Sequence, residues 1–121
     1  MNPYEAAKAE PNFWLSCLLI DEKAMCPQER GDLEARYEGQ SGKSCPTEII
    51  EALARYNAEA RPIWKPMHLQ PLFRDKAFVS AGPGEDVGAD IFRRGLCLPS
   101  DNKLTADRQE RIIEIVRACF A

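Results

Sequence analysis

The 121 residues carry 45% hydrophobic and 29% charged side chains, proportions that allow one compact domain with a real core and exclude a disordered or fibrous chain. Sixteen basic residues against nineteen acidic ones leave a formal charge of −3, without the Lys/Arg-rich face that tracks a nucleic-acid backbone. No apolar run is long enough to cross a bilayer, and residues 1–5 lack the basic and apolar regions of an export signal.

In chain order, the first strong segment is 13–20, almost wholly apolar between Pro11-Asn12 and Asp21-Glu22. It reads as an interior strand covered on both faces. From 22 to 45 the composition turns polar, with Pro27, Gly31, Gly39 and Gly42 interspersed. This reads as an insertion or mobile loop, with a short helical turn around Leu33, Arg36 and Tyr37. Pro46 suits the first turn of a helix capped by Ser44 or Cys45, and Ile49, Ile50, Leu53 and Ala54 recur on one face through Tyr56. Asn57 supplies a left-handed stop before a strand over 58–64, which Pro62 restricts to an edge or a bulge.

Residues 65–78 hold Pro66, Pro71 and several large side chains without a clean period, as expected of a tethered surface segment. Asp86 caps a helix from Val87 through Phe92, Gly95 stops it, and 96–98 form a short buried strand closed by Pro99. Thr105 caps the last helix, whose Ile112, Ile115, Val116, Cys119 and Phe120 follow the i, i+3, i+4, i+7, i+8 rule. Asp107 in its first turn and Arg117 in its last both suit the helix dipole. The sum is a single α/β domain over 1–121, with three helices against a small mixed or antiparallel sheet of about three strands.

Cys17, Cys26, Cys45, Cys97 and Cys119 are unevenly spaced, and thiols in or beside apolar runs pack as small hydrophobes, which reads as a reducing, cytoplasmic setting. No CxxC occurs and His68 is the only histidine, so no metal site is expected. Gly82-Pro83-Gly84 reads as a turn, since Pro83 offers no N–H to a phosphate, and Gly42-Lys43-Ser44 lacks the spacing of a nucleotide-binding loop. A cysteine–histidine catalyst would need Cys17 or Cys97 open to solvent beside His68. The stretch from Arg61 through Pro71 stands out. It gathers Arg61, Trp64, Lys65, Met67 and His68 between prolines, and four basic residues from Arg61 to Lys76 face the single acid Asp75. Such a surplus of positive charge selects a phosphorylated ligand: Lys65 as a point charge, Trp64 stacking on a base or sugar, His68 donating to an oxygen.

Three stretches in order, 12–21, 61–71 and 94–100, resemble the C-terminal domain of DegT/DnrJ/StrS sugar aminotransferases. The Trp64-Lys65-Pro66-Met67-His68 form is most similar to members acting on nucleotide-linked 4-keto-6-deoxy sugars, as in bacillosamine-type pathways that feed cell-envelope polysaccharide. The resemblance implies amino transfer from a donor such as glutamate through pyridoxal phosphate, in a fold-type-I dimer. It also implies that the Schiff-base lysine and most coenzyme ligands belong to a large N-terminal domain. No catalytic or coenzyme-binding residue is therefore expected in this chain, which would be inactive alone and would need a cofactor-carrying domain or a homodimer partner. Trp64, Lys65, Pro66, Met67 and His68 match the segment expected to border the nucleotide-sugar pocket. The 22–45 segment is longer than in many relatives, and the 78–86 connection is shorter. The rival expectation is a freestanding ligand-binding or protein-interaction module that kept the fold without the chemistry.

Overall fold

In the computed structural model the described residues are 12–80, 82, 84 and 86–121; residues 1–5 and Pro83, on which the export-signal and glycine-loop readings rest, lie outside them. Five strands and three α-helices follow in the order β1 (Ser16–Leu19), β2 (Gln28–Arg30), β3 (Ala35–Tyr37), α1 (Pro46–Ala54), β4 (Arg61–Pro62), α2 (Val87–Arg94), β5 (Gly95–Leu98) and α3 (Ala106–Ala118). β1, β5 and β4 form one sheet in that spatial order, β2 and β3 form a second, and every pairing is antiparallel. The fold is thus the expected small α/β arrangement, and none of the described helices is long and apolar enough to span a membrane.

The core is built where α1 and α3 pack together and α1 meets the central strand. Ile49 and Leu53 of α1 and Leu96 of β5 are fully buried, joined by Ile20, Ala60, Ile112 and Ile115. Each of the buried isoleucine and leucine side chains contributes about 1.5–3 kcal/mol by leaving water. α1 ends as its sequence suggests. Asn57 adopts a left-handed φ of 57°, and the Ala58 and Asn57 N–H groups close back on the Leu53 and Ala54 carbonyls at 3.1 and 3.0 Å, a Schellman closure.

Two expectations change. β1 is an edge strand with Ser16, Cys17 and Leu19 exposed, not an interior strand. Among the described residues the sheet has three strands with β5 at its centre, so hydrophobic composition alone could not settle which strand is covered. The helical turn read around Leu33 and Tyr37 is absent; Ala35–Tyr37 is a strand paired with Gln28–Arg30. Gly95 ends α2 as expected, with an extended φ of −103°. Its glycine is needed for space, since a Cβ there would stand 2.5 Å from the Ile91 carbonyl oxygen and 2.7 Å from Ile63 Cγ1. β4 is an edge strand as Pro62 requires.

Candidate functional site

The segment after β4 runs along an open cleft of about 600 Å³ whose walls include Trp14, Arg61, Trp64, Lys65, Phe92 and Cys97. Phe13, at a left-handed φ of 53°, turns the chain just before Trp14, a conformation that costs a non-glycine residue about 1–2 kcal/mol. The Trp14 and Trp64 rings then meet at 5.9 Å between centroids, tilted by 42°. Both indoles remain largely open, at 68% and 63% exposure, so a flat ligand can reach them.

The cations around this cleft are held by carboxylates that sequence reading did not place there. Lys65 Nζ donates to Asp32 Oδ1 at 2.6 Å, and Arg74 to Asp32 Oδ2 at 2.8 Å. The Lys65 contact, ahead of Arg74, holds the Asp32 carboxyl below its ordinary range. Arg61 pairs with Glu59. Three cations therefore meet two carboxylates, and the local surplus falls to one positive charge. Asp32 arrives from the tip of the β2–β3 hairpin, inside the segment read as a loop or insertion. That hairpin is tied down: Gln28 Nε2 donates to the Arg93 carbonyl at 2.6 Å, and Arg30 donates to the Phe92 carbonyl at 2.6 Å while lying 4.4 Å over the Phe92 ring.

The rest of the motif is placed differently. Pro66 packs near Gly88 in the first turn of α2. Met67 is exposed and, with His68 and Leu69, forms one 3-10 turn. Gln70 Nε2 donates to the Lys65 carbonyl at 3.3 Å. The His68 ring stacks on Phe78 with centroids 4.0 Å apart, and its Nε2 makes a short hydrogen bond to Asp86 Oδ2. Asp86 also caps α2 by accepting from the Ala89 N–H at 3.0 Å. That backbone bond, then His68, keeps its carboxyl below the usual range. Trp64 and Lys65 thus line the cleft, while Pro66, Met67 and His68 do not.

A model of the DegT/DnrJ/EryC1/StrS aminotransferase family matches residues 34–117. This chain belongs to that family. It is also 47% identical over 116 residues to the putative pyridoxal phosphate-dependent aminotransferase EpsN of Bacillus subtilis (strain 168), a match covering 96% of this chain. The chain spans only about a quarter of that relative's length.

Family membership raises the coenzyme, and the residues here can be tested against it. A Schiff-base lysine needs a free amine facing an enclosed site. Lys65 is the lysine at the cleft, and it is engaged by Asp32 on an open surface. Lys65, so placed, does not meet that requirement. The described residues do not assemble a cysteine–histidine pair either. Cys97 is buried with its thiol pushed up to about 11, mainly by burial and then by Cys17, whose Sγ lies 3.6 Å away. His68 is occupied by Asp86 and Phe78.

Proposed function

We propose that this chain forms the nucleotide-sugar side of the active site in an aminotransferase that converts a nucleotide-linked 4-keto-6-deoxy sugar to its amino sugar, a step in making cell-envelope polysaccharide in the cytoplasm. The observation that carries this reading is the cleft at which two exposed indoles stand beside Lys65, whose ammonium Asp32 holds at the rim. Stacking of a base on such a ring is worth about 1–3 kcal/mol. In this reading Trp64, with Trp14, receives the uracil or sugar face. Lys65 turns from Asp32 to the diphosphate when the ligand arrives, because a ligand carrying two phosphates outbids a single carboxylate for a point charge.

Pro66, Met67 and His68 serve the same pocket from its border. The bond from His68 to Asp86, with the Phe78 stack, anchors the turn that follows Lys65 and so fixes where Lys65 begins. Residues 1–121 act as one domain. Pyridoxal phosphate, when bound in the intact enzyme, supplies the electron sink for amino transfer; its lysine and most of its ligands come from a cofactor-carrying domain or from a dimer partner. The chain alone is inactive on this view.

Exposed Phe13, Trp14, Leu72 and Val79 favour a second reading, a module that docks on protein and binds no sugar nucleotide. Calorimetric titration with a UDP-linked 4-keto-6-deoxy sugar separates the two. Saturable binding is expected, weakened about tenfold or more by Trp64→Ala and less by His68→Ala. Equal binding by the wild type and both variants removes the site assignment, and no binding accompanied by self-association supports the docking module.

A further inference from the structure

Away from the tryptophan cleft, two of the five cysteines come together where sequence spacing offers no hint. Cys26 and Cys45 lie 19 positions apart, yet Cys26 N–H donates to the Ser44 carbonyl at 3.0 Å and Ser44 N–H to the Ala24 carbonyl at 3.0 Å. Those two bonds clamp the segments side by side. Both thiols are buried, Cys26 at 2% and Cys45 at 0% exposure. Glu48, in the first turn of α1, completes the group, and one ligating atom from each of the three residues lies within 4.8 Å of the others.

We propose that Cys26, Cys45 and Glu48 form a binding site for a thiophilic divalent cation of the zinc class, which fastens the 22–45 segment to the start of α1. Four features support it. Two thiolates and a carboxylate are a donor set that zinc favours over the harder ions. Cys26 Sγ and a Glu48 oxygen stand 3.9 Å apart; donors at zinc bond lengths on a tetrahedron are separated by about 3.5–3.8 Å, so small side-chain shifts suffice. Ser44 Oγ donates to that same Glu48 oxygen at 2.8 Å, the kind of outer hydrogen bond that orients a ligating carboxylate. Cys45 occupies the N-cap of α1 without a side-chain capping bond, and its side chain hydrogen-bonds with that of Cys26 instead, so the two sulfurs already face each other.

Access exists on one side. Glu48 also lines a groove of about 670 Å³ between α1 and α3, so a cation can enter there and take a water as its fourth ligand. Binding breaks two S–H bonds, sends two protons to solvent and forms two metal–sulfur bonds; with the carboxylate, the bound site carries one negative charge. This groove shares no residue with the cleft of Trp64.

Titration of the reduced, metal-free chain with cobalt(II), followed by competition with zinc(II), tests the site. One cobalt per chain is expected, with a thiolate-to-metal charge-transfer band in the near ultraviolet that zinc abolishes. Cys26→Ser and Cys45→Ser should each weaken binding about a hundredfold or more, Glu48→Gln about tenfold or more, and Cys17→Ser not at all. Absence of the band, or a band that depends on Cys17, overturns the proposal. Should the serine variants lose their helical circular dichroism, Glu48→Gln decides alone, and an unchanged cobalt affinity in that variant is equally fatal.

Discussion

Asp90 shows how one carboxylate can organise a helix end. Its oxygens accept from Arg94 Nε at 2.8 Å and from Arg93 at 2.9 Å, and Arg94 in turn donates to the Ile20 carbonyl at 2.7 Å. The Arg94 bonds, then those of Arg93, hold the Asp90 carboxyl at about 2, against an ordinary value of 3.8. The folded protein therefore binds fewer protons than the unfolded chain across that window, and stability must rise with pH through it. The contribution is complete above the unfolded value and disappears as pH falls through the folded one. Asp32 and Asp86 are displaced in the same direction and add to the same slope. Thermal unfolding followed from pH 5 down to about 2 should show a falling midpoint, and Asp90→Asn should flatten the curve in its lower part. An identical slope in that variant would assign the acid sensitivity to other groups.

Among the elements, the turn after α1 is the clearest case of local sequence and local structure agreeing. Asn57 sits at a φ of 57°, where Leu53 and Ala54 receive the closing hydrogen bonds. An L-residue with a Cβ and no local polar side chain is strained there by about 1 kcal/mol, whereas glycine is at ease. Asn57→Ala should lower unfolding stability by about 1 kcal/mol in urea, with Asn57→Gly near neutral. Equal effects of the two would mean that the asparagine side chain, and not its backbone angle, matters. The β2–β3 hairpin is the opposite case. Its strands are three residues each, too short for an alternation to be read, and its interest lies in what it touches. Gln28 reaches both Thr47 of α1, at 2.9 Å, and Arg93 of α2, while Asp32 takes Lys65 and Arg74. Those partners are up to 65 positions away in sequence, so neither period nor composition could announce them.

At the scale of the whole molecule, burial sorts the cysteines into classes that their spacing does not. Cys17 is exposed on an edge strand, Cys119 is half-buried, and Cys26, Cys45 and Cys97 are buried. Burial, above all, pushes the Cys26 thiol up to about 12, which removes the reactive thiolate at neutral pH. Mass spectrometry after brief iodoacetamide treatment of the reduced chain should find Cys17 modified first, and Cys26, Cys45 and Cys97 only on global unfolding. Early modification of Cys97 would mean that β1 detaches from β5 in solution.

The three α-helices, the Asp86 and Thr105 caps of α2 and α3 and the buried β5 were legible in the amino-acid order, because hydrophobic period and capping chemistry act over a few residues. The stretch from Trp64 to His68 was legible too as an unusual concentration of chemistry, and its likeness to one aminotransferase family agreed with the matches found over most of the chain. Only the tertiary structure decided the rest. It made β1 an edge, spent the charges of Lys65 and Arg74 on Asp32, turned His68 toward Asp86, and brought Cys26 to Cys45 and Glu48. Each of these depends on contacts between distant segments, and a side chain's partner in such contacts is set by where the backbone places it, not by its neighbours in sequence.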